Sequence, residues 1–517
     1  MSPKRSVARG LTKVLIISHG HPALSLGGAE VASHNLFVGL NELPGIEAHY
    51  LARVNEKVRR HGSSSLLSLR QGDREVLYHA TSYDDFHLSN QDTGSLQHDF
   101  LRHIKDLGPD VVHFHHFIGL GLECLFAVKR LLPSVPIVVT FHEYMAVCHH
   151  HGQMVKRGTH QLCRRASPSE CTVCFPEIGE NAFYRREVFA RTLLGLADRY
   201  VAPSRFLRQR YVEWGLPNER FSVIENGLRD TEVAPERALG RSGRRNRFAY
   251  FGQLNPFKGI EILVDAVQRV ADETWARDGQ LNIFGGGLEY QTEDFQRKFV
   301  ELLERAGARV RHHGRYDNAE VGRLMGTVDW VVVPSTWWEN SPVVIQEAFH
   351  HRRPVIASNI GGMAEKVRDG KDGLHFQVGS ADDLADRLSD AIMQPDLWGR
   401  LRSGIEQPLS ASACAQQHLD VYAAAAANAL QSNDMVTVTV GAAKTARTTA
   451  SASRQKTGTR RTARGGINAK EVDTVSTEPR ASGKASAGSA KPRRKRLSES
   501  PANELATVGA PIIERGP

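Results

Sequence analysis

Two carboxylates eight positions apart, Glu339 and Glu347, bracket a helix start in the segment WWENSPVVIQEA (337–348). A β-rich run, DWVVV (329–333), leads into it. Ser341 in a capping position and Pro342 at the first helical position predict that the helix begins there. Glu339 then stands just before the helix N-terminus and Glu347 in the second turn, with unpaired backbone N–H groups and the positive dipole end between them. Carboxylates accept hydrogen bonds from hydroxyls, and a helix N-terminus holds phosphate. The pairing suits a ligand that carries both groups, as a nucleotide sugar does, with Asn340 and Ser341 in the same turn beside it.

Three other loops carry residue types that fit such a ligand. Gln253-Leu-Asn-Pro-Phe-Lys258-Gly259 precedes the helical run IEILVDAV, which places the Lys258 ammonium where it can neutralise a diphosphate. Gly285-Gly286-Gly287 follows the run LNIF, and either a tight turn or close contact with the ligand would require glycine there. Gly27-Gly28 follows the first strand, where the missing Cβ lets backbone N–H groups approach phosphate. His142 ends the run PIVVTFH, and either a substrate contact or local capping would use it. His113, His115 and His116 end another strand, with acceptor contact and structural use equally open. The chain contains no D-x-D, so a carboxylate-held metal clamp has no support in the sequence. Lys258 and helix ends would do that work, and no catalytic cofactor or metal is expected.

These loops need a scaffold that presents them along one edge. The first half alternates short apolar runs, such as KVLIIS (13–18) and RYVAPS (199–204), with helical stretches. After the polar, Arg-rich stretch 230–246 the alternation restarts with RFAYFG (247–252). Near-continuous apolar strands separated by helices predict parallel sheets covered on both faces. The expectation is an α/β protein of two doubly wound, Rossmann-like domains facing a cleft: an acceptor-side domain over 12–229, a linker over 230–246 and a donor domain over 247–405. An alanine-rich helix within 406–430 and a tail over 431–517 complete the chain.

With its motifs in this order, the chain resembles the retaining GT-B glycosyltransferases of family 4 (glycosyl transferases group 1) over roughly residues 12–430. The resemblance implies transfer of a sugar from a nucleotide diphosphate donor to a glycan or lipid-linked acceptor, with retention of anomeric configuration and without a catalytic metal. It implies that Glu347 holds the ribose hydroxyls, that Glu339 faces the donor sugar or its phosphate, and that His142 stands at the catalytic centre. Gly361-Gly362 and Glu365 match the family's GG-x-x-E segment, and the last helix is expected to cross back to the first domain. Gln253 stands where the family has arginine, which leaves more of the phosphate charge to Lys258. Two rivals remain: an epimerase or hydrolase of the same fold, which would convert the donor with no acceptor present, and a non-catalytic nucleotide-sugar or glycan-binding protein.

A cysteine-rich insert follows His142. Cys148, Cys163, Cys171 and Cys174 form C-x14-C-x7-C-x2-C, which points to a structural zinc site better than to disulfides in a cytoplasmic protein. No apolar run is long enough to span a membrane, and the basic N-terminus is followed by too short an apolar stretch for a signal peptide. The net charge of +9 resides in the tail: residues 431–517 hold 16 basic and 7 acidic side chains, and the rest of the chain holds 50 of each. Without Phe, Tyr or Trp the tail reads as disordered, and its run Lys491–Arg496 suits anionic phospholipid at the inner membrane face. The same lack of aromatic residues argues against nucleic acid.

Overall fold

The computed structural model describes residues 12–25, 27–55, 64–69, 74–276 and 278–429; the tail and its basic run lie outside the described residues. Two sheets carry the fold. In the first half the strands of the main sheet are β1 (Thr12–Ser18), β2 (Ile46–Val54), β3 (Leu66–Ser68), β4 (Glu75–His79), β5 (Val111–Phe114), β6 (Ile137–Thr140), β7 (Arg199–Ala202) and β8 (Phe221–Val223). They lie in the order β8-β7-β6-β5-β1-β2-β4-β3, all parallel except β3 against β4. In the second half, β9 (Arg247–Phe251), β10 (Gln280–Phe284), β11 (Val310–Gly314), β12 (Trp330–Val333), β13 (Val355–Ser358) and β14 (Gly373–Phe376) form a second parallel sheet, ordered β11-β10-β9-β12-β13-β14.

Successive side chains on a strand point to opposite faces, and each sheet divides its apolar residues accordingly. Leu15 and Ile17 enter one core while Val14 and Ile16 enter another, and Trp330 and Val332 part from Val331 and Val333 in the same way. Burying each of these side chains contributes about 1.5–3 kcal/mol. The helix over 411–429 returns to the first half, where Cys414, Ala415, Val421, Tyr422 and Ala425 pack on the face that holds Val14 and Ile16.

This strand order sets where a ligand can sit. In each sheet the connections reverse direction beside the first strand, and open α/β sheets bind ligands beyond the carboxyl ends of strands at that point. In the first sheet the reversal lies between β1 and β5, and in the second between β9 and β12. The loops leaving those strands contain Gly27, Gly28, His115 and His116 on one side, and Lys258 and Glu339 on the other.

Candidate functional site

Lys258 is positioned by its own turn. The Asn255 side chain accepts from the backbone N–H groups of Phe257 (3.0 Å) and Lys258 (3.1 Å), closing a short helical turn. Gly259 follows at φ +70°, where a Cβ would lie 1.9 Å from the Pro334 carbonyl oxygen. The loops after β9 and β12 therefore meet backbone to backbone. Across that contact Lys258 Nζ donates to Glu339 Oε1 at 2.5 Å, and the same oxygen accepts from Ser335 Oγ (2.9 Å) and Trp337 Nε1 (2.7 Å). The cation and the carboxylate assigned separate ligand duties by sequence thus form one pair, over the Trp337 ring.

The helix Val343–His350 starts without the expected cap. Pro342 occupies the capping position, and the Ser341 hydroxyl donates instead to Glu225 Oε1 at 2.5 Å. Gln346 donates to the same oxygen at 2.6 Å, and Lys366 pairs with the other oxygen of Glu225. Glu225 belongs to the first half, so this partly buried network joins the two halves, as does Asn340, whose amide donates to the His142 carbonyl. Glu365 is likewise drawn across: it accepts from the backbone N–H groups of Arg205 and Phe206 (both 2.9 Å) at the start of the first-half helix Arg205–Trp214.

Gly28 opens the helix Gly28–Asn41, and a Cβ there would meet Val343 at 3.7 Å. Two helix N-termini therefore face each other across the cleft, an arrangement suited to an anion. Glu347, one turn further on, lines a cavity of about 940 Å³ together with His34, Arg229 and Asp317, and burial pushes its carboxyl up to about 7. Gly285 is required by packing, since a Cβ would lie 1.9 Å from the Gly252 carbonyl oxygen. Gln253 is exposed, and its carbonyl accepts from the Tyr250 hydroxyl at 2.6 Å.

Opposite the charged loops stands a file of imidazoles. His142 Nε2 lies 3.0 Å from His115 Nδ1 with the rings stacked, and His113 behind them contacts Thr140 Oγ1 (2.7 Å) and the hydroxyl of Tyr422 in the returning helix (2.9 Å). Burial, helped by neighbouring histidines, lowers His142 to about 3, so its ring is neutral at any ordinary pH. Sequence reasoning passed over Glu143, which burial pushes up to about 8 and which lies 3.1 Å from His116 Nε2. Its adjacency to His142 at a strand end was the available signal. Glu225, Gln346 and Lys366 had none, because distant segments assemble them.

Cys148, Cys163, Cys171 and Cys174 are all free and line one cavity of about 20 Å³ with His149 and His150. No three of the sulfurs lie within 4.8 Å of one another. Burial, with the neighbouring sulfurs adding, pushes the Cys148 thiol up to about 12 and Cys171 to about 11. Among the described residues, His21, His34 and Glu75 meet metal-ligand spacing. Their hydrogen bonds say otherwise. His21 Nδ1 accepts from the Ala23 N–H (3.1 Å) and His34 Nδ1 from Arg229 (2.8 Å). Both Nε2 atoms therefore carry protons, which they donate to Glu75 at 2.6 and 2.8 Å. Burial pushes the Glu75 carboxyl up, but these two bonds outweigh it and hold it below the usual range.

Residues 245–394 match the family described as Glycosyl transferases group 1, and residues 26–232 match Glycosyltransferase Family 4. A D-inositol 3-phosphate glycosyltransferase of Corynebacterium glutamicum is 31% identical over 335 residues, covering 62% of this chain and 73% of that protein. The enzyme of the same name from Corynebacterium efficiens is 26% identical over 297 residues, 54% of this chain and 63% of that protein. Among solved structures, HepE of Anabaena in complex with UDP superimposes with a TM-score of 0.54 at 17% identity, covering 83% of this chain and all of that one. The paired doubly wound sheets with facing loop edges are the GT-B architecture, and the chain belongs to the group 1 glycosyltransferases.

Proposed function

We propose that this glycosyltransferase takes its sugar from a nucleoside diphosphate donor, retains the anomeric configuration and uses no metal in the chemical step. The observations that carry the reading are the Lys258–Glu339 pair between the loops after β9 and β12, the approach of Gly28 to Val343 that brings two helix N-termini together, and Glu347 one turn after Val343 on the wall of the cavity. Lys258 and the helix ends supply positive potential where a diphosphate leaves. Glu347 as the carboxylate accepts from both hydroxyls of a ribose. His142, neutral, hydrogen-bonds the donor sugar. The acceptor hydroxyl forms its bond to the anomeric carbon on the face from which the diphosphate departs, and its proton passes to the departing phosphate oxygen.

The UDP complex of HepE and the names of the curated relatives support a nucleotide donor and a hydroxyl acceptor; for this chain we propose a glycan or lipid-linked acceptor. No helix among the described residues is long and apolar enough to cross a membrane, so contact with a lipid-linked acceptor would be peripheral, through the basic tail. A nucleotide-sugar panel scored by thermal shift, then turnover with and without EDTA, tests the donor assignment. Turnover that needs added Mg²⁺ or Mn²⁺ would reject the metal-free step, and donor conversion without any acceptor would favour the epimerase or hydrolase. A chain ending at residue 430 should keep turnover of a soluble acceptor and lose salt-sensitive binding to anionic vesicles.

A further inference from the structure

The cysteine insert is nearly devoid of regular structure. Between β6 and the helix Pro168–Cys174 it holds one isolated bridge, Val155 to Leu162, and three non-glycine residues with left-handed backbone, His151, Met154 and His160. Irregular segments of this length are uncommon in compact folds unless something ties them together. Its centre is the cavity of about 20 Å³ ringed by the four thiols. That is room for one water-sized occupant, since holding a water takes roughly 10–15 Å³. Cys171 and Cys174 share a helix face at i and i+3.

A second observation comes from charge. Arg186 is buried, and its guanidinium donates only to neutral carbonyls: Phe86 (2.7 Å), Ala146 (2.8 Å) and Met145 (2.6 Å). Among the described residues no carboxylate pairs with it, and the sulfurs of Cys148 and Cys171 are its leading ionisable neighbours. Lys156 also lines the cavity, and its ammonium already pairs with Glu170 at 2.5 Å. A buried cation without a counter-ion is costly. Four thiols that stay protonated leave that cost unmet, whereas a divalent ion held by four thiolates carries two net negative charges beside Arg186.

We propose that Cys148, Cys163, Cys171 and Cys174 bind one soft divalent cation, zinc by preference, and that the resulting knot holds the donor loops in place. Each thiol gives its proton to solvent as its sulfur bonds the metal. At a Zn–S distance of about 2.3 Å the sulfurs draw in to about 3.8 Å from one another. The knot touches both donor loops next to their charged residues. The Cys163 carbonyl accepts from Trp338 Nε1 at 2.9 Å, beside Glu339. The His160 ring stacks on Phe257 with centroids 5.7 Å apart, beside Lys258. Loss of the metal therefore loosens the support behind the Lys258–Glu339 pair; this second step rests on the donor-site reading above.

The test uses the full chain purified without added metal. Elemental analysis should give about one zinc per chain, and cobalt in its place should show the absorption of a tetrahedral thiolate site. Cys171→Ser with Cys174→Ser should release the metal, as should chelation of the wild-type protein, which serves if the double variant does not fold. In metal-free protein, amide exchange over residues 254–260 and 334–341 should speed up and affinity for UDP, ADP or GDP should fall about tenfold. Absence of metal with four freely titrating native thiols would overturn the site. A bound metal whose removal leaves exchange in both loops unchanged would overturn the coupling. If the loops respond but the metal-loaded protein binds no nucleoside diphosphate, the inference stands and the donor assignment fails.

Discussion

The two facing loop edges hold polar groups in a partly dry cleft with a different emphasis, the second half on side-chain pairs and the first half on buried groups shifted toward their neutral forms. The second-half edge ties its polar side chains into pairs, Lys258 with Glu339 and Lys366 with Glu225 across the cleft, although burial lowers the Lys366 ammonium to about 7. The first-half edge discharges its titratable groups. His19 and His116 are lowered to about 4 and His142 to about 3, while Glu143 is raised to about 8. Burial is the leading cause each time: loss of water disfavours the ionised form by more than nearby opposite charges restore it. On the donor-site reading proposed above, the contrast divides the work. A departing diphosphate needs fixed positive charge, whereas a sugar's hydroxyls need neutral donors and acceptors that do not drag a hydration shell into the cleft.

The charged edge should break hardest. Lys258→Ala is expected to lower kcat/KM by on the order of 10²–10³, as loss of a stabilising donor at a developing charge does, with the melting temperature little changed. Steady-state kinetics beside a thermal melt check both halves of that statement. Next, His142→Ala should cost on the order of 10²-fold in kcat. In the wild type no limb of the pH–rate profile between pH 5 and 9 should belong to His142, because its ring is already neutral there. A limb abolished by this substitution would erase the distinction between the edges.

Glu347, a half-buried acid on the second-half side, sharpens the comparison. Its carboxyl sits at about 7 in the folded protein against 4.5 as the ordinary value, so the folded state holds the proton more tightly. Its contribution therefore favours folding at low pH and is lost progressively as pH rises from about 4.5 to about 7. Glu347→Gln should melt increasingly above wild type across that window, while wild-type affinity for nucleotide should rise through pH 7 and that of the variant should stay flat. Calorimetric titration across pH reads both. Asn340→Ala should have the smallest effect. Removing its bond to the His142 carbonyl should cost about 0.5–1.5 kcal/mol, read as a severalfold drop in kcat/KM with retained fold.

The central strands were legible because parallel sheets buried on both faces demand unbroken apolar runs: KVLIIS and RFAYFG announce β1 and β9. Edge strands lack that demand. β11 alternates buried and exposed residues in VRHHG, and β3 and β4 at the other rim are only partly buried, so none stands out as a run. The site divides in the same way. The candidates Lys258, Glu339 and Glu347 stand out by residue type and spacing beside helix starts, since local backbone chemistry is written in local sequence.

What the sequence determined by itself was local: which segments form strands, which turns need glycine conformations, and which loops carry charge next to a helix end. Tertiary structure decided the partners. Ser341 had the composition of a helix cap and became a ligand of Glu225, and Glu365 went to cap a helix start 160 positions away. Hydrogen-bonding side chains satisfy whichever unpaired group burial brings near them, and burial depends on how the two halves pack. The protonation of Glu143, Glu347 and His142 follows from the same cause: a side chain's ordinary pKa belongs to the residue, but its shift belongs to the water that folding removes.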